Sequence, residues 1–564
     1  MFIPVTREEI KKLGWDQPDI IFVTGDAYID SSFIGVALLG KFLMKHGFKV
    51  AIIPQPDWKS DRDITRLGEP TLFWGISAGS VDSMVANYTA TGKKRRTDDY
   101  TPGGINNRRP DRASIVYTNL IRQYFKQTKP IVLGGIEASL RRIAHYDFWS
   151  DSIRRSILPD AKADYLIYGM AEYAVLELAH CLRDKKDTSH IRGCCTMSRE
   201  KPEDGIELPA YEVVKQDMDA FTSMFLTFYQ NTDPITGKRL FQKHGDRYLI
   251  QNPPPTLLTQ QQMDEIYSLK FEHRPHPIYD HQGKINAMDT IQFSVTTHRG
   301  CYGECHFCAI PMHQGRTIQS RSQASILREV KEFTKHPDFK GIVHDVGGPT
   351  ANMYEIECTK KIEKGICKHK RCIFPKACNQ LPVNHQSQIR LLKEIRKIPG
   401  VRKVFVASGL RYDMILDDPR HGNEYLRELV SHHVSGQLKI APEHIDDQVL
   451  QMMGKPSNNR LMEFKSRFDQ LSRRAGKKQF LTYYFIAAHP GCSDKHMLSL
   501  KQFASRKLNI NPRQIQIFTP TPSTISTLMY ATGKNPFTGE KIIVEKSLRG
   551  KQRQKDIVGR KKHT

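Results

Sequence analysis

The sequence predicts an α/β fold in two successive parts: a Rossmann-like, doubly wound parallel sheet, then a second series of strand–helix units. Short apolar runs closed by glycine or proline alternate with stretches of helical periodicity, once over residues 1–190 and again over 286–525. At 564 residues the chain is long enough for two or three domains, each with its own core. A hydrophobic content of 39% and an aromatic content of 9% suit a soluble globular protein.

In the first series, DIIFVTGDAY reads as a buried strand ending in a glycine turn. SSFIGVALLGKFLMKHGF has helical periodicity and stops at Gly47. FKVAIIPQP is a second strand, closed by proline, and TLFWGISAGS, PIVLGGIEAS and ADYLIYGMAE supply three more. Residues 191–285 read as a connection with short helices, rich in Pro, Gln and charge, and QNPPP is a stiff extended piece within it. The second series comprises IQFSVTTHRG, KGIVHDVGG, VRKVFVASGL, GQLKIAPEH, KKQFLTYYFIAAHPG and RQIQIFTPTP. In both series ligands are expected beyond the carboxyl ends of the strands. The tail, 526–564, is basic and glycine-containing, so it is expected to be mobile or to fold only on contact.

No apolar stretch exceeds strand length, which argues against a membrane span. The start, MFIPVTREEIKKLGWD, does not resemble a secretory signal. Seven of the eleven cysteines crowd between 301 and 378, which fits a reducing cytoplasm where thiolates hold metal rather than a disulfide framework. The formal net charge is +25, with basic runs at Lys93–Arg96, Arg108–Arg112 and from Lys546 to Lys562. Exposed loops that maintain solubility and contact with RNA or another polyanion are both open readings.

The most informative motif is RGCYGECHFCAI, which holds Cys301, Cys305 and Cys308. With about one cysteine per fifty residues, a given three-cysteine pattern arises by chance in such a chain about a few times in a thousand. The spacing is wrong for a two-plus-two zinc site. It is right for three irons of a cubane 4Fe–4S cluster, with the fourth iron left open. A zinc knuckle or a storage cluster is the bland alternative.

This motif, with Phe307 before the last cysteine, resembles the signature of the radical S-adenosylmethionine (SAM) enzymes. The resemblance implies a partial (β/α)6 barrel over 286–525. It also implies a cluster whose open iron chelates SAM, cleavage to methionine and a 5′-deoxyadenosyl radical, and an electron donor such as flavodoxin or ferredoxin. Phe307 would pack near the adenine. The turn Gly347-Gly348-Pro349-Thr350 corresponds to a GGE-like turn that presents backbone groups to the cofactor's amino group, with proline where glutamate often stands. Ser408, Arg411, Lys439 and Glu443 fall at consecutive strand ends, where ribose hydroxyls and a methionine carboxylate need holding. His444, His489, Cys492, Thr519 and Thr521 follow at neighbouring ends. Arg299 and His306 flank the motif, either as donors to sulfide or as solvated surface groups.

Cys358, Cys367, Cys372 and Cys378 form a candidate auxiliary site, for a cluster, a zinc ion or a redox pair. Cys181, Cys194 and Cys195 read as small apolar residues. The first part resembles the cobalamin-binding-like domain that precedes many radical SAM domains. Where that domain has D-x-H-x-x-G, this chain has Asp30-Ser31-Ser32-Phe33-Ile34-Gly35, and serine cannot serve as the cobalt ligand. Some relatives bind cobalamin without that histidine, so the resemblance leaves cobalamin possible but unsupported, and an inherited scaffold for docking or capping is the expectation. Together with SGLRYD, LKIAPEH, GGPTANMY and FTPTPSTISTLMYATG, the chain resembles the YgiQ-type radical SAM family, whose substrate is unknown. The resemblance implies an enzyme. Its sub-readings are cobalamin-dependent methyl transfer and RNA modification, and the contrasting class is a non-catalytic iron–sulfur protein that binds RNA or senses redox state.

Overall fold

The computed structural model describes residues 1–512 and 514–559. The chain divides into two compact units: Met1–Leu257 with Leu269–Gln292 and Thr521–Ser523, and Leu258–Ser268 with Phe293–Pro520 and the chain from Thr524.

The first unit is built on a nine-stranded sheet. Its parallel core comprises β1 (Ile20–Thr24), β2 (Val50–Pro54), β3 (Phe73–Ser77), β4 (Ile131–Gly134) and β5 (Tyr165–Ile167) in the order β2-β1-β3-β4-β5. All five residues of β1 are buried, as are all five of β2. This is why these strands read as unbroken apolar runs rather than alternating ones. Helix α1 (Gly35–Lys45) crosses from β1 to β2, α2 (Ala113–Tyr124) precedes β4, and α3 (Glu172–Asp184) follows β5.

Four further strands extend the sheet: β6 (Cys194–Ser198), β7 (Ile206–Leu208), β8 (Leu240–His244) and β9 (Arg247–Gln251). The β5–β6, β6–β9 and β9–β8 pairs are antiparallel, and β7 lies parallel to β8 at the edge. The expected connection at 191–285 therefore contains four strands of this sheet beside its short helices. These strands escaped the sequence reading because they are short and carry polar or charged residues among the apolar ones, as in RYLIQ and LFQKH.

The second unit carries the six expected strand positions as a parallel arc. β10 (Ser294–Thr296) pairs with β12 (Asp345–Gly347), and β11 (Ile342–Val343) pairs with β13 (Lys403–Val404). A bridge from Leu410 to Ile440 leads to β14 (Gln437–Glu443), which pairs with β15 (Phe480–Ala487), which in turn pairs with β16 (Ile515–Ile517). Among the described residues no ladder joins β16 back to β10, so the barrel is partial. Helices α4 (Gln323–Phe333), α5 (Gln386–Arg396), α6 (Leu461–Arg474) and α7 (Asp494–Phe503) lie among the crossovers.

The tail departs from expectation. Ile525–Thr532 is helical and mostly buried, and α8 (Leu548–Gly559) packs against α7 and β16. The basic run beyond Gly559 lies outside the described residues. In α8, Lys551 is buried with its ammonium donating to the Tyr530 hydroxyl at 2.8 Å. Gln554 is also buried; it accepts from Ala488 N at 2.9 Å and donates to Cys492 O at 3.2 Å. A helix so sparse in apolar residues docks through the stems and polar tips of long side chains. Among the described residues no helix is long and apolar enough to cross a membrane.

Gln554→Ala strands two buried backbone groups at the end of β15. It is expected to destabilise the second unit by about 2–4 kcal/mol, read as a lower urea midpoint than wild type.

Candidate functional site

The cysteine motif leaves β10 through Thr297–Gly300 and enters the helix Ile310–Gln314. The loop is pinned by its backbone: Cys301 N donates to Gly315 O at 3.1 Å, Cys308 N to Cys305 O at 2.9 Å, and His306 N to Met453 O at 2.8 Å. Cys301 is buried, whereas Cys305 and Cys308 are partly exposed. Cys301 Sγ lies 3.4 Å from Thr350 Oγ1 and accepts from Gly303 N at 3.4 Å. Arg411 Nη1 reaches to 4.0 Å from Cys305 Sγ.

The electrostatics describe three thiols that share one small space. Burial pushes the Cys301 and Cys308 thiols up, and negative charge on Cys305 pushes both further in the same direction. Thr350, Gly303 and Arg411 work against that rise at Cys301. Three neighbouring thiolates, one buried and two partly exposed, are best accommodated around a positive core, and this is the fit a 4Fe–4S cluster requires. Among the described residues no three His, Cys, Asp or Glu side chains converge closely enough for a single metal ion. A cubane differs in that its thiolates stand apart on separate irons.

The cation beside the thiols is fixed. Burial opposes the charge on Arg411, and the Asp413 carboxylate outweighs that opposition through a two-point pair. Asn352 clamps the Arg411 backbone from both sides, accepting from its N–H at 2.9 Å and donating to its carbonyl at 3.0 Å. Glu443 is buried at a positive φ of 66°, 3.7 Å from Lys455 Nζ. Burial raises its carboxyl pKa, while Lys455 and Arg411 pull it back. A non-glycine residue held in that region at a strand end is a place where strain accompanies function.

Other expected residues have different surroundings. Ser408 gives its hydroxyl proton to Asp345, which also accepts from the backbone N–H groups of Ala407 and Ser408. Lys439 is exposed and makes no hydrogen bond or ion pair with the rest of the set. Gly347 accepts at its carbonyl from Thr297 N at 2.8 Å. A Cβ at Gly348 would lie 2.6 Å from the buried His298 ring, so this glycine answers packing as well as any ligand approach. Pro349 is partly buried in the same turn. Phe307 packs edge-on to His489, with ring centroids 6.2 Å apart.

The flanking residues are neither surface groups nor free donors. Arg299 is buried, donates to the Tyr267 hydroxyl at 3.1 Å and lies over that ring. His306 is buried, donates from Nδ1 to Met452 O at 2.8 Å and accepts from Arg371 at 2.6 Å, an arrangement that requires a neutral ring. Sequence reading missed Asp345, Asn352, Asp413 and Lys455. Of these, only Asp413 carried a signal, through its R-x-D spacing from Arg411.

Cys358, Cys372 and Cys378 pack against the apolar cluster that contains Cys301, Tyr302 and Met353, whereas Cys367 is exposed outside it. Burial pushes the Cys372 thiol up to about 12, against the opposing charge of Lys361. Cys181, Cys194 and Cys195 are buried in the first unit.

In the first unit the crevice between the ends of β1 and β3 is the topological switch point, where this strand order places a cofactor. The chain fills it with its own side chain. The Arg109 guanidinium is fully buried, donates to Gly25 O at 3.2 Å and pairs with Asp26 at 2.6 Å and Asp98 at 3.2 Å. A Cβ on Gly25 would lie 2.2 Å from Ala78 O, which shows how closely the two strand ends approach. Asp30, the first residue of the D-x-H-x-x-G counterpart, is spent on Lys41 at 2.8 Å, the Tyr28 hydroxyl and Glu272 N. The residues present do not fit a corrinoid at this crevice.

Residues 2–294 match the family described as Radical SAM N-terminal, and residues 295–504 match the Radical SAM superfamily. A UPF0313 protein of Fusobacterium nucleatum subsp. nucleatum is 56% identical over 562 residues, covering 100% of this chain and 99% of that one. A UPF0313 protein of Thermotoga neapolitana is 50% identical, covering 99% and 98%. Among solved structures, the cobalamin-dependent S-adenosylmethionine radical enzyme OxsB with aqua-cobalamin bound aligns with a TM-score of 0.50 at 12% identity. The alignment covers 95% of this chain and 58% of OxsB and shows a shared fold.

Two outcomes follow from this geometry. Hydroxocobalamin added to the protein is expected to separate from it on gel filtration; stoichiometric retention of corrinoid absorbance would contradict the filled crevice. Burial also holds His444 and His489 neutral, at about 4 and about 3 against an ordinary 6.5. Below about pH 6.5 the unfolded chain therefore binds protons that the native unit refuses. Stability should fall with decreasing pH by about 1.4 kcal/mol per pH unit per histidine. Urea midpoints between pH 7 and pH 5 test this, with a shallower slope expected for His489→Asn.

Proposed function

The chain belongs to the UPF0313 family and is a radical SAM enzyme; from that premise we propose that Cys301, Cys305 and Cys308 hold its 4Fe–4S cluster and that Thr350, Arg411 and Glu443 border the SAM site. The observation that carries this reading is geometric: three cysteines on one loop pinned by backbone hydrogen bonds, with the buried Arg411 guanidinium 4.0 Å from Cys305 Sγ, at strand carboxyl ends. When bound, the cluster supplies the electron that cleaves SAM and so provides a radical able to abstract hydrogen from a substrate.

The chain's own residues position and insulate. Arg411 sets a permanent positive charge beside Cys305, and Asp413 and Asn352 keep it there. Thr350 Oγ1 and Gly303 N–H offer hydrogen bonds to Cys301 sulfur. Glu443 offers a carboxylate to accept from ribose hydroxyls, and Ser408, whose proton is committed to Asp345, can offer them only its oxygen as a further acceptor. Phe307, beside His489, offers a face for an adenine.

A polyanionic substrate such as RNA is the class that a charge of +25 favours. Supporting it, α5 lines a surface groove of about 550 Å³ with Arg390, Lys393, Arg396 and Lys397. The last three share their charge with Glu424, Glu428 and Glu394, and among the described residues Arg390 has no acidic partner.

Anaerobic protein given dithionite and SAM is expected to release 5′-deoxyadenosine. Replacing Cys301, Cys305 and Cys308 with alanine should abolish the product, and Arg411→Ala should lower its rate about 10- to 100-fold. Absence of product from a fully reconstituted cluster would overturn the reading. Nucleic acid that co-purifies and is released by salt would support the polyanion.

A further inference from the structure

Outside the cofactor site, the segment after the GGPT turn is the part of the second unit with the least regular structure. Residues 365–385 form neither helix nor strand. Irregular stretches beyond about 12–15 residues are uncommon inside compact domains and are usually either functional or disordered. This one has no backbone ladder, yet Ile373, Leu381 and His385 within it are buried, so its side chains have a packing or binding role.

The side chains point to what that is. Cys358, Cys372 and Cys378 are separated by 13 and 5 intervening residues, yet all three pack against one apolar cluster formed by Cys301, Tyr302, Ile318, Met353 and their neighbours. Cys378 N donates to Cys372 O at 2.8 Å, closing the loop that carries two of the thiols. Lys361 is buried, with its ammonium 2.7 Å from Glu357, 2.9 Å from Arg316 O and 3.9 Å from Cys372 Sγ. From Cys358 to Cys378 the chain carries seven lysines and arginines against one glutamate, a charge suited to an anionic thiolate-bound cluster.

We propose that Cys358, Cys372 and Cys378 hold a second iron–sulfur cluster, distinct from the one at Cys301, Cys305 and Cys308. Cys367, exposed and outside the apolar grouping, takes no part. A zinc ion is the poorer occupant, because it draws its thiolates onto one centre and no three ligating groups converge that tightly here. Three thiolates leave one iron of a cubane open, as at the first site. Lys361 donates to the sulfur of Cys372, and the cluster adds a clasp to a segment that has no helix or strand of its own.

Iron and acid-labile sulfide are measured on full-length protein after anaerobic reconstitution. Wild type is expected to hold twice as much of each as the variant in which Cys301, Cys305 and Cys308 are alanine. That variant should keep a reduced-cluster EPR signal that SAM does not perturb, and Cys367→Ser should keep the full wild-type iron. The complementary C358S/C372S/C378S variant should lose half the iron. If it fails to fold, the alanine variant alone still decides. Background iron in the alanine variant, or zinc there in place of iron, would overturn the proposal while leaving 5′-deoxyadenosine formation by wild type untouched.

Discussion

Everything in the second unit answers to one electrostatic constraint: three sulfurs that repel one another as anions are held close together in a poorly solvated loop. Burial alone favours protonated thiols at Cys301 and Cys308. A guanidinium, a backbone N–H and a hydroxyl have been brought up to the sulfurs, and each costs desolvation unless it is partnered. Asp413 meets that requirement for Arg411. The polar residues around the motif are thus one connected arrangement in which each group justifies the next.

The loop is also immobilised mechanically. His306 fills two roles at once, with its backbone on Met453 and Ser526 and its ring on Met452 and Arg371. Arg371 in turn donates to Glu304 O and so ties the basic cysteine-rich segment to the cluster loop. A residue next to a ligand can therefore matter through the shape of the loop rather than through any bond to sulfur.

How much was legible follows from burial. The parallel strands were readable because both faces are covered and their residues are apolar throughout, as in IIFVT and VAIIP. The three cysteines were readable because their spacing is chemically selective. Strands β6–β9 were not, since they are short and mix polar with apolar residues, which resembles a loop. Helix α8 was not, because it buries Lys551 and Gln554 rather than an apolar stripe. Asp345 was invisible as a site residue for a different reason: a carboxylate gains its role from the group folded against it, and unlike Asp413 it has no cation two residues away to announce one. Ser408 and Lys439 show the converse, with correct strand ends but side chains committed elsewhere or left in solvent.

The docking of Gln554 just beyond the end of β15 has a consequence for the order of folding. The backbone groups of Ala488 and Cys492 find their partner more than sixty residues later in the chain. Closing off the fifth strand of the arc is therefore a non-local event, in which loop-closure entropy is lost before the contact offsets it, so this corner is expected to consolidate late.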